Sequence, residues 1–97
     1  MRTKSRIRHK KQLRIHRQAA EHIIETMSAD QRKIIRFSRE QYTVTDISRE
    51  LALPQEYVWH FMAGLMQRLT HDGLIPSSNW NNVLKWADEE GLTAPHV

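Results

Sequence analysis

Ninety-seven residues are enough for one domain and too few for two, and 39% hydrophobic with 27% charged residues marks a globular chain, not a disordered one. The absence of cysteine excludes disulfides, thiolate metal sites and thiol nucleophiles. A net charge of +4 with no apolar run near the roughly 20 residues of a membrane span points to a soluble, non-secreted, cytoplasmic protein that avoids membranes.

The charge is split along the chain. Arg2, Lys4, Arg6, Arg8, Lys10, Lys11, Arg14 and Arg17 put eight of the fifteen basic residues in the first seventeen positions, ahead of the first acid, Glu21. Residues 18–97 hold seven basic and eleven acidic side chains, a net of −4. Such a split suits an arm that contacts polyanion phosphates, fixed to a body that repels them weakly. The domain reading is a basic N-terminal arm over 1–17, overlapping the start of the first helix, and a single helical domain over 18–97.

Beyond the arm the apolar residues recur with helical spacing, which predicts an all-α fold of about five helices. The first runs from within the arm to about Met27, with Ala19, Ala20, Ile23, Ile24 and Met27 on one stripe. Ser28 and Gln31 have capping-box spacing and open a second helix that carries Ile34, Ile35 and Phe37 inward and ends near Gln41. Thr43 and Asp46 repeat that spacing ahead of a short helix over about Val44 to Ala52, burying Ile47 and Leu51. Leu53 then plugs a tight turn, and Pro54, which lacks an amide donor, opens a fourth helix to about Thr70. Val58, Met62, Leu65 and Leu69 form its inner stripe. Gly73 in a left-handed conformation closes it, with Leu74 and Ile75 folded back and Pro76 blocking continuation. Ser77 or Ser78 is the expected cap of a last helix, about Asn79 to Glu90, with Trp80, Val83, Leu84 and Ala87 facing the core and Gly91 as its stop.

Residues 43–69 place two helices at the interval of a helix-turn-helix. The segment resembles the helix-turn-helix of LuxR-type response-regulator effector domains and of sigma-factor C-terminal domains. Ile34, Ile35, Thr43, Asp46, Ile47, Leu51, Ala52, Leu53, Val58, Arg68 and Leu69 stand at the matching positions without a gap. Asn82, Val83, Leu84, Lys85, Trp86 and Ala87, then Gly91 and Leu92, are similar to the last helix of LuxR-type domains, so the likeness covers residues 28–92. It implies a transcriptional regulator that binds double-stranded DNA with the helix over Pro54 to Thr70 in a major groove, and a homodimer on paired half-sites.

That helix departs from a usual base-reading helix. No lysine or arginine lies between Arg49 and Arg68, so Gln55, His60 and Gln67 are the candidate base contacts, and the eight arm cations supply the phosphate contacts. The loop from Thr70 to Ser78 precedes no alternating strands, and no wing is expected.

The other class of reading is a helix-turn-helix adaptor that binds a protein through Tyr57, Trp59, Ala63, Gly64 and Trp86; a third is RNA binding by the arm. Trp59 suits a partner or cover by the first or last helix better than a DNA wedge. Gly64, costly in mid-helix, suggests close approach by another helix. Asp88, Glu89 and Glu90 read as a solvated helix end. No histidine pair has i, i+4 chelating spacing, and no phosphate loop, nucleophile elbow or paired-carboxylate motif occurs, so no enzyme, metal or cofactor is expected.

Overall fold

The computed structural model describes residues 15–94. Among these, α1 is the helical stretch 15–26, followed by α2 Ala29–Arg39, α3 Val44–Leu51, α4 Gln55–His71 and α5 Trp80–Glu89. The fold is all-α, with no strand among the described residues and hence no wing there. Arg17 already belongs to α1, so an arm boundary after residue 17 falls inside a helix.

Short-range chemistry sets most helix ends. Ser28 Oγ accepts from the Gln31 amide at 3.1 Å while Gln31 Oε1 accepts from the Ser28 amide at 3.0 Å, a complete capping box. Thr43 and Asp46 do the same for α3 at 3.2 and 3.1 Å. The α5 cap is Asn79, whose side chain accepts from the Asn81 amide at 2.7 Å, and not Ser77 or Ser78. Those serines are engaged elsewhere: Ser77 Oγ accepts from Asn82 Nδ2 at 3.0 Å, and Ser78 Oγ lies 2.9 Å from Thr70 Oγ1.

The C-termini share one geometry. At the end of α4 the Leu74 amide reaches the Leu69 carbonyl at 2.8 Å and the Gly73 amide reaches Thr70 at 3.1 Å, a Schellman motif with Gly73 at φ 73°. The α2 end repeats it, Tyr42 amide to Phe37 carbonyl at 3.0 Å and Gln41 to Ser38 at 3.1 Å, which stops the helix at Arg39 rather than near Gln41. The Tyr42 ring stacks on Phe37 with centroids 4.9 Å apart and locks the reversal. Gln41 therefore holds φ 74° without being glycine. Left-handed backbone costs an L-residue about 1–2 kcal/mol, offset in part by the extra chain freedom a glycine loses. Gln41 is exposed, and Gln41→Gly should stabilise the fold by about 0.5–1 kcal/mol, read as a higher urea midpoint with an unchanged slope.

The core forms two clusters that meet on α2. Ile35 shares a cluster with Ala20 and Ile23 of α1, Met27 just beyond it, Leu65 and Leu69 of α4, Ile75, and Val83, Trp86 and Ala87 of α5. Ile34, one residue earlier, packs with Ile47, Val58 and Met62. Successive residues point about 100° apart on a helix, so α2 fills the angle between the α1/α5 layer and the helix-turn-helix pair. Trp80 joins the two clusters, and its indole N–H donates to Ser38 Oγ at 2.6 Å.

Trp86, expected on an interface, is only 5% exposed and lies in the first cluster. The α5 stripe is one residue wider than the sequence spacing suggests, because α1 covers a flank that would otherwise face water. Its indole N–H is buried without a hydrogen-bond partner among the described residues.

Candidate nucleic-acid interface

The α3–turn–α4 pair is held by contacts within a few residues of the turn. Ala52 adopts φ 53°, ψ 43°, the Leu53 amide returns to the Ser48 carbonyl at 3.0 Å, and the Ser48 hydroxyl donates to the Leu53 carbonyl. Pro54 then caps α4 with an extended backbone and without a side-chain hydrogen bond, leaving the first amides of α4 free of a side-chain acceptor. Leu53 packs beneath the turn against Ile34, Ile47 and Val58.

Backbone and side-chain bonds from Thr43 hold the Asp46 carboxyl below its ordinary pKa, with a smaller contribution from the Arg49 charge. A depressed carboxylate stabilises the fold fully above its unfolded value of about 4 and loses that contribution as pH falls through the lower, folded value. The denaturant midpoint of Asp46→Ala should lie below wild type at neutral pH, and the gap should close on acidification below about pH 4. A constant gap would remove the carboxylate from the cap.

On α4, Val58, Met62, Leu65 and Leu69 are buried, whereas Gln55, Glu56, Tyr57, Trp59, His60, Ala63, Gly64 and Gln67 are exposed. Helical spacing puts His60 and Gln67 on the central outer stripe with Glu56 and Ala63, about 10 Å apart along the axis. Gln55 lies toward the α3 side, where its Nε2 donates to Thr45 Oγ1 at 3.4 Å. Of the three candidate base contacts, two share a stripe and the third is tied to the neighbouring helix.

Trp59 is 56% exposed and Tyr57 39% exposed, so among the described residues neither the first nor the last helix covers Trp59. Tyr57 is anchored at its hydroxyl, which accepts from Gln31 Nε2 of α2 at 3.3 Å. Among the described residues nothing beyond the adjoining backbone of α4 comes within 4 Å of the position a Gly64 side chain would take, so no other helix approaches closely there. Gly64 instead floors an open groove between α1 and α4 bordered by Thr26, Gln31, His60 and Arg68.

Of the eight arm cations, Arg2, Lys4, Arg6, Arg8, Lys10, Lys11 and Arg14 lie outside the described residues. Arg17 is engaged within the domain, with Nη2 2.6 Å from Glu90 and Nε 3.4 Å from Glu21. The Glu90 hydrogen bond, then its charge, raises the Arg17 pKa above the ordinary arginine value. A phosphate at Arg17 would share the guanidinium with these two carboxylates.

The acidic end of α5 is therefore clasped, not merely solvated. Glu90 holds Arg17, and Asp88 takes Arg39 Nε at 3.1 and 3.2 Å together with the Thr93 hydroxyl. The Thr93 bond first, and Arg39 next, lower the Asp88 pKa.

Sequence reasoning passed over a second cationic surface. Arg32, Lys33 and Arg36 project from α2 on the side away from Ile34 and Ile35, and line one concavity with Ala29, Gly91, Leu92 and Ala94. None has a carboxylate within 4.0 Å among the described residues. Their i, i+1, i+4 spacing opposite the buried isoleucines was the available signal.

No protein-family model matches the chain, and no curated protein and no solved structure matches it. Among the described residues no helix is long and apolar enough to cross a membrane.

Proposed function

We propose that this protein is a DNA-binding transcriptional regulator that docks α4 in a major groove and uses its basic N-terminal arm on the phosphates. The observation that carries the reading is the α3–turn–α4 unit, with a buried inner stripe and an outer stripe presenting His60 and Gln67. Its pattern is the one that resembles LuxR-type domains. The arm supplies the attraction that an α4 without Lys or Arg before Arg68 does not. In this reading the protein works as a homodimer on cytoplasmic DNA.

Selection of sites from a random duplex pool at near-physiological salt tests it. The intact chain should enrich one site, and Gln55→Ala/His60→Ala/Gln67→Ala should abolish the enrichment, since each mismatched or lost base contact costs roughly 1–3 kcal/mol. Salt-sensitive retention with no enriched site would end the base-reading role of α4. The 56% exposure of Trp59 supports a second reading, a protein-binding adaptor face formed by Tyr57, Trp59, Ala63 and Gly64. In that case Trp59→Ala would abolish partner capture and leave DNA retention unchanged.

A further inference from the structure

We infer that the outer face of α2, carrying Arg32, Lys33 and Arg36, is a second binding surface for the phosphate backbone of duplex nucleic acid, beside the root of the basic arm. The inference rests on the DNA-binding reading and deepens it.

Two observations make the surface more than a solvated charge run. The first is that three unpaired cations gather on one face of one helix. In residues 18–97, acids outnumber bases by eleven to seven, and both Arg17 and Arg39 are taken up by carboxylates of the α5 end. Arg32, Lys33 and Arg36 have no such partner among the described residues; nor do Arg49, Arg68 and Lys85, but only the α2 three share one concavity. Glu40, exposed and one turn beyond Arg36, closes the face at its C-terminal end without pairing to it. The arginine heads are also held in place. Arg32 Nη2 donates to the Ile24 carbonyl at 2.9 Å, and the Arg36 guanidinium lies 5.6 Å from the Phe37 ring centroid. A guanidinium has five N–H donors, so the single bond to Ile24 orients Arg32 and leaves most of its fork for a phosphate.

The second observation is continuity. Arg17, the last cation of the arm, meets Glu90, and the next residue, Gly91, borders the same concavity as Arg32, Lys33 and Arg36. The cationic face thus begins beside the root of the arm, on the side of α2 turned away from the core. Arg32 to Arg36 cover about 6 Å of the helix axis, and their long side chains can fan out to neighbouring phosphates of one strand.

The test uses the full chain and a fluorescent random-sequence duplex, titrated across a salt series. Arg32→Gln/Lys33→Gln/Arg36→Gln should reduce the slope of log affinity against log salt by about 2.7, making the loss of affinity between about 50 and 200 mM salt roughly 40-fold smaller than for wild type. Arg32→Lys/Arg36→Lys, which keeps the charge, should retain most of the slope. Lys33→Gln alone removes no hydrogen bond of the fold and should lower the slope by about 0.9, so a misfolded triple variant would not obscure the result. An unchanged slope in both neutralised variants, with wild type binding the duplex, overturns the α2 surface and leaves the DNA-binding reading standing. No duplex binding by wild type overturns both. Polyglutamate displacing the duplex as well as unlabelled DNA does, charge for charge, would assign the face to acidic protein and overturn the nucleic-acid assignment.

Discussion

Leu69→Ala is expected to destabilise the protein by about 3 kcal/mol, one of the largest effects available to a single substitution in a domain of this size. Leu69 is fully buried between Ile35, Leu65, Val83 and Trp86, in a cluster assembled from α1, α2, α4 and α5. Removing its side chain leaves a cavity bounded by four packed helices, so collapse around it is restricted. Alanine is itself a good helix former, and the loss therefore reports packing and not helix propensity. For a domain this size the melting temperature should fall by about 12–24 °C. The comparison is Trp59→Ala, which removes a larger side chain that is 56% exposed and should change stability by less than about 0.5 kcal/mol. Equal losses in the two variants would mean that Trp59 is covered in solution and would remove the exposed-aromatic basis of the adaptor reading.

Neutralising the arm should have the largest effect on binding. Replacing Arg2, Lys4, Arg6, Arg8, Lys10, Lys11 and Arg14 with glutamine removes seven charges and keeps Arg17, whose bonds to Glu21 and Glu90 belong to the folded domain. If all seven engage phosphates, the salt slope on duplex DNA falls by about 6 and affinity at about 50 mM salt drops by about 10³-fold or more. The melting temperature should hardly change, because the ion pairs and buried clusters of residues 15–94 are retained. Unchanged DNA affinity would show that the arm does not drive binding. A collapse on duplex DNA matched by an equal collapse on RNA hairpins would show that the arm attracts either polymer, leaving discrimination to α4.

The two variants probe different kinds of information in the chain. Leu69 was legible as a core residue because Val58, Met62, Leu65 and Leu69 repeat at helical spacing, and the stripe is buried. The same holds for Ile34, Ile35, Ile47 and Val83. The capping boxes at Ser28 and Thr43 and the left-handed stop at Gly73 were legible for a similar reason, since each joins residues three to five positions apart. Of the candidate interface, the sequence identified the outward set of α4 as exposed, and it is, whereas Trp86 of α5 is buried. It did not indicate that Gln55 would be drawn toward Thr45 or that α2 would offer unpaired cations.

The chain by itself therefore determined the all-α class, the order of the helices, most of their ends and the inner stripe of each, because these follow from backbone chemistry and periodicity over one or two turns. Only the tertiary structure decided how neighbouring flanks were used. Arg17 finds Glu90 across 73 positions and Arg39 finds Asp88 across 49, so cations that look free in sequence are neutralised while Arg32, Lys33 and Arg36 are not. Trp86 is buried and Trp59 is not because α1 packs on α5, whereas no helix among the described residues lies over the outer face of α4. A helical stripe states which residues share a face; the partner that covers the face, or leaves it open to a ligand, is fixed only when distant segments meet.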